Sequence, residues 1–152
     1  MKSKRNSQKM GKTRKHRHGS SQSNQKFEQQ IVLKFLSVLN IVKVYHWKTY
    51  SYATHKATDE LYSKLGDNID RFMEVLLGKM GNRIDLTRVK CISFQDFTSL
   101  EQMKREVDNF KSYLVGLDSN KVLNRMSNAD LYTIRDEILA DLNQFLYLLT
   151  FK

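Results

Sequence analysis

The chain contains no proline, only six glycines and one cysteine among its 152 residues. Proline and glycine are the residues that most weaken helix interiors, so their scarcity suits long uninterrupted helices. Cys91, standing alone, excludes an intrachain disulfide and any cysteine metal cluster, and a reducing compartment is the simplest fit. No run of about eighteen apolar residues occurs, and no apolar stretch follows the basic N-terminus. Neither a membrane span nor a standard secretion signal is therefore expected. Phosphate-binding glycine loops are missing, as are Ser-His-Asp or Cys-His arrangements with a supporting local motif, and so are internal repeats. What remains is a chain whose 40% hydrophobic residues are enough, at this length, for one domain with a substantial core.

Charge is distributed very unevenly. Residues 1–26 hold nine Lys or Arg and no Asp or Glu, whereas the whole chain has 26 and 16, which leaves 17 against 16 for the remainder. Almost all of the formal charge of +10 thus sits in this tail. Having no apolar pattern, residues 1–24 are expected to be disordered alone. Lys2, Lys4, Arg5, Lys9, Lys12, Arg14, Lys15 and Arg17 make them a candidate nucleic-acid arm, attracted to phosphate rather than to bases. The stretch Lys12 to Arg17 also reads as a nuclear-localisation address, and the tail as a whole as an aid to solubility or an arm for another acidic surface.

Four helices are expected in residues 25–152. Phe27, Ile31, Phe35, Val38, Val42 and Tyr45 recur in steps of three and four and predict a first helix from about Gln25 to Trp47. Val32, Leu36 and Leu39 widen its apolar face beyond what one bundle needs, so part of that face is expected to meet another subunit. A second helix, roughly Ala53 to Gly78, buries Leu61, Leu65, Ile69, Phe72 and Leu76, with Gly78 and Gly81 as candidate stops. Residues 79–97 read as an irregular crossover, uncommonly long for a simple up-and-down bundle. Thr98 opens a third helix with a sequence of capping-box form, and Leu100, Met103, Val107, Phe110, Leu114 and Leu117 face the core. Ser127 is the expected N-cap of a fourth, whose stripe is Leu131, Ile134, Ile138, Leu142, Phe145 and Leu149.

The second helix carries chemistry as well as a core stripe. His55 and Asp59 are four residues apart, as are Asp70 and Glu74, and residues four apart share a helix face. At 100° per residue all four fall on one strip, displaced by roughly 120° from the buried stripe. Each pair offers half of a metal site. Asp59 and Asp70 lie roughly 16 Å apart along a helix, against ligand distances of about 2 Å, so one chain cannot close both pairs on one ion. An antiparallel second copy, crossing near Lys64 and Leu65, brings His55 and Asp59 of one chain to Asp70 and Glu74 of the other. Two equivalent sites result. Gly66, near that axis, permits close approach. Acidic residues on an outer helix face are also an ordinary solvated surface, and spacing alone leaves both readings open.

His46-Trp47 at the end of the first helix, followed by His55-x-x-x-Asp59 and Asp70-x-x-x-Glu74, resembles the motif set of the miniferritins, the DNA-binding proteins from starved cells within the ferritin-like superfamily. The linker from His46 to His55 is shorter than is usual in that family and lacks its glycine, which makes His46 the ligand whose place depends most on the linker. Looser similarity runs from Phe27 to Phe151. The resemblance implies an all-α, ferritin-like four-helix bundle whose long crossover joins helices 2 and 3. It also implies a ferroxidase site shared between two-fold mates, with His46, His55, Asp59, Asp70 and Glu74 as ligands to iron and Trp47 beside them. Further implications are a dodecameric shell that stores iron, peroxide as oxidant, and DNA as partner of the tail. The expected location is the cytoplasm or nucleoid, or the nucleus of a eukaryote. The other reading is a helical nucleic-acid-binding or structural protein of the same fold without a working metal site. Asp130 and Asp136 are candidate entry-channel acids.

Overall fold

The computed structural model describes residues 14–151, with side chains from Gln22 onwards. Four helices, α1 (Arg14–Lys48), α2 (Tyr52–Met80), α3 (Leu100–Gly116) and α4 (Ala129–Leu148), pack around one core, and no strand occurs among the described residues. Two short 3-10 turns, Leu117–Ser119 and Leu123–Arg125, join α3 to α4.

Cross-helix pairs give the topology. α1 and α2 are antiparallel: His46 meets His55 at one end, and Asn82, just past α2, donates to Glu28 at 2.8 Å at the other. α4 runs antiparallel along the other flank of α2, through Lys64 to Gln144 (2.8 Å), Asn68 to Asp141 (2.9 Å), Arg71 to Glu137, and Lys79 to Asp130 (2.8 Å). α3 closes the ring, bonded to α1 through Lys34 and Glu106 at 3.0 Å, and the 3-10 turn that follows it is bonded to α4 through Asp118 and Arg135. The crossover begins where Gln29 donates to the Asp85 carbonyl (2.7 Å) near the start of the core and ends where Lys48 binds Asp96 (2.7 Å) at the far end of α1. It therefore runs the length of the core, which makes α2 and α3 parallel.

The expected core stripes are the observed ones. Phe35 sits at the centre, its ring edge-on to Phe72 (5.4 Å, 84°) and to Phe110 (6.0 Å, 83°), so that three helices meet in one aromatic cluster. Leu100 and Leu149, at the ends of their stripes, are only partly buried. Val32 is buried and Leu39 partly so, but Leu36 remains 38% exposed.

Helix ends differ from expectation by local chemistry. α1 is helical from Arg14 rather than from near Gln25, since no proline between those residues breaks it. Residues 14–24, expected to be disordered, thus continue the helix, while residues 1–13 lie outside the described residues. Ser51 caps α2 by accepting from the Thr54 amide, and Gly81, at φ 67°, ends it, so Gly78 is passed through. The α3 cap is Ser99, not Thr98. Gln102 completes the box, and its Oε1 also accepts the Thr98 amide at 3.0 Å. Asn128, not Ser127, precedes α4 without a side-chain cap, and its Nδ2 donates to the Leu123 carbonyl at 3.2 Å.

Candidate metal centre

The turn between α1 and α2 is three residues, Thr49 to Ser51. A connection so short forces the last turn of α1 against the first turns of α2, and the two histidines meet there. Their rings stack with centroids 3.9 Å apart and planes 24° apart. Each ring also bonds to the other residue's backbone. His46 Nδ1 lies 3.1 Å from the His55 carbonyl, and His55 Nδ1 lies 3.1 Å from the His46 carbonyl.

A carbonyl oxygen can only accept, so each neutral ring carries its proton on Nδ1 and leaves a lone pair on Nε2. Such carbonyl-held imidazoles are the form in which histidine commonly binds a metal. His46 is buried, and its Nε2 faces Asp59 Oδ1 at 3.8 Å. In the neutral Nδ1–H form a lone pair faces the carboxylate, an arrangement that either a proton or a metal cation between the two relieves. His55 Nε2 makes no hydrogen bond among the described residues, and the Asp59 side chain is 57% exposed.

The other two carboxylates lie further along α2. Asp70 and Glu74 are exposed on the strip that holds Asp59, away from the buried stripe. Among the described residues no three His, Cys, Asp or Glu of one chain come together to hold a metal. A complete centre would need donors from beyond the chain. Gly66 lies between the pairs, and a Cβ built there meets nothing within 4 Å, so packing within the chain does not require a glycine at this position.

Trp47 is 68% exposed beside the histidines, with the Lys43 ammonium 5.8 Å from its ring and 4.5 Å from that of Tyr62. Sequence reasoning missed this Lys43 link and also Thr58, a fully buried hydroxyl in contact with His46. The available signal for Thr58 was a polar residue on the apolar stripe, one position before Asp59. Of the basic tail, Lys2, Lys4, Arg5, Lys9 and Lys12 lie outside the described residues, while Arg14, Lys15 and Arg17 lie in the first turns of α1. Asp130, exposed at the start of α4, is held below the usual carboxylate range by its hydrogen bond from Lys79, and Asp136 is engaged by Arg135.

A model of a family of unknown function, DUF5856, matches residues 46–149, more than half of the chain. The chain belongs to this family. The matched region opens on His46 and contains every candidate ligand, whereas the basic tail and most of α1 lie before it. No curated protein and no solved structure matches the chain. No helix among the described residues is long and apolar enough to cross a membrane.

Proposed function

We propose that this chain is a miniferritin-like subunit that binds Fe(II) and oxidises it at sites shared between two copies of itself, within a dodecameric shell that stores the product. The observation that carries this reading is the pair of carbonyl-held imidazoles beside Asp59, with Asp70 and Glu74 about 16 Å further along the same outer strip. Mixed imidazole and carboxylate donors suit iron among the transition metals. A second, antiparallel α2 crossing near Lys64 and Leu65 would complete both sites, and the open space at Gly66 supports its close approach. The length-spanning crossover and the parallel α2 and α3 agree with a ferritin-like bundle.

Iron is the substrate here and peroxide the electron acceptor. Two Fe(II) each give up one electron, the peroxide O–O bond breaks, and two protons complete two waters. The protein's part is to present Nε2 and carboxylate oxygens in place and to exclude bulk solvent from one side of the site, where His46 is buried. The basic tail, which leads into α1 at the end opposite His46, would hold DNA electrostatically.

The concentration of basic residues in the tail favours a second reading, a non-catalytic helical protein that binds nucleic acid. Peroxide-dependent Fe(II) oxidation, followed beside the protein's mass in solution, separates the two. The expected result is oxidation faster than in buffer, with most of the acceleration lost in a His55→Ala/Asp59→Ala variant. Equal rates in wild type and variant would reject the site.

A further inference from the structure

Thr58 is fully buried on α2, one residue before Asp59. Its Oγ1 lies 3.3 Å from His46 Nδ1, 2.8 Å from the Thr54 carbonyl and 3.0 Å from the His55 carbonyl. A hydroxyl has one proton, and both carbonyls compete for it because neither can donate. The short contact to Thr54 is the back-bond that a helical threonine ordinarily makes. With the proton so used, Oγ1 faces His46 with a lone pair. The His55 carbonyl, 3.1 Å from the same nitrogen, does likewise. His46 Nδ1 is thus cradled by two acceptors, and a proton on it satisfies both.

The opposite assignment has a physical cost. If Thr58 donated to His46, the ring would carry its proton on Nε2, and the unprotonated Nδ1 would face the His55 carbonyl at 3.1 Å, lone pair against lone pair. The Thr54 and His55 carbonyls would also lose the hydroxyl proton.

We infer that Thr58 is a positioning residue of the candidate centre, whose hydroxyl, with the His55 carbonyl, holds His46 in the Nδ1–H form and so presents Nε2 as an open donor beside Asp59. The inference deepens the proposed reading of the site and rests on it for the role of Nε2. The tautomer itself does not depend on iron.

Two substitutions separate positioning from packing. Thr58→Val keeps the shape and loses the hydroxyl, whereas Thr58→Ser keeps the hydroxyl and loses a methyl. Ring-nitrogen chemical shifts of the metal-free protein, labelled at histidine, should show Nδ1–H for His46 in wild type and in Thr58→Ser. A growing Nε2–H fraction is expected in Thr58→Val. Co(II), used as a spectroscopic probe, should bind Thr58→Val more weakly by roughly 10-fold, the lower end for loss of an outer-shell partner because one acceptor remains. Thr58→Ser should bind Co(II) as wild type does. An Nε2–H tautomer in wild type overturns the inference, as does a Thr58→Val protein with unchanged shifts and affinity. A Ser variant impaired while the Val variant is normal would assign Thr58 to packing alone. Should Co(II) bind none of the three, the metal reading falls, and with it the role of Thr58 at the site.

Discussion

Mixing two inactive variants should restore activity, and by a calculable amount. His55→Ala/Asp59→Ala removes one end of the α2 strip and Asp70→Ala/Glu74→Ala the other. The ends are about 16 Å apart along one helix, too far to share an ion about 2 Å from each ligand, so each variant alone lacks half of every site. When equal amounts are co-assembled at random, about half of the two-fold pairs are mixed, and each mixed pair keeps one complete site and one empty one. Peroxide-dependent Fe(II) oxidation should therefore return to about a quarter of the wild-type rate per pair. A second mixture sharpens the test. Wild type diluted with an equal amount of the fourfold variant should show about a quarter of full activity if sites are shared, but about half if each chain holds its own. Native mass spectrometry confirms that chains have exchanged. No recovery in the first mixture, together with one half in the second, would refute the shared site.

Replacing Gly66 with Leu should leave the melting temperature of the isolated subunit unchanged or raised, since the added side chain begins in open space and leucine favours helix over glycine by about 1 kcal/mol. The same substitution should weaken two-fold association and iron oxidation together, and assembly at wild-type affinity would count against the axis near this residue. Deleting residues 1–24 should remove most DNA binding while leaving core and oxidation intact, because the core stripes begin at Phe27. Eight cationic side chains are lost, so the log-log salt dependence of tail binding should not exceed a slope of about seven in magnitude, and salt-insensitive binding would move the role elsewhere. Burial pushes the Tyr113 hydroxyl up to about 12, so between pH 10 and 12 the unfolded chain loses this proton while the folded chain keeps it. Stability should then fall with rising pH by at most about 1.4 kcal/mol per unit, and Tyr113→Phe should flatten that limb of a urea-unfolding series.

How far the sequence foretells this molecule depends on whether a feature is set by neighbours along the helix or by neighbours across it. The core stripes are set along it. Each apolar residue three or four positions from the next must share a face, and in a chain without proline nothing breaks the period, so Phe27 to Tyr45 and Leu61 to Leu76 could be read directly. The outer strip of His55, Asp59, Asp70 and Glu74 was legible for the same reason. Helix ends were less so, because a cap is a competition among adjacent polar residues. Thr98 and Ser99 both begin a capping-box pattern, and the outcome turned on whether Glu101 or Gln102 faced back; Glu101 is instead paired with Lys104.

Relations across helices were the least legible. The sequence shows that the His46–His55 linker is short, but not that shortness stacks the two rings and crosses their carbonyl bonds, which requires the angle between two helices. Thr58 was missed for a related reason: at its position on the apolar stripe a threonine also reads as a tolerated core residue. Only with α1 in place does its hydroxyl meet the imidazole from the preceding helix. The same turn that makes the His46–His55 linker shorter than the one usual in miniferritins also supplies the geometry that leaves His46 Nε2 open beside Asp59. The short linker therefore does not by itself remove His46 from the candidate ligands. It replaces a longer connection with a direct backbone bond, and His46→Ala should then cost more than loss of one donor, because it also frees the ring of His55 from its stacked partner.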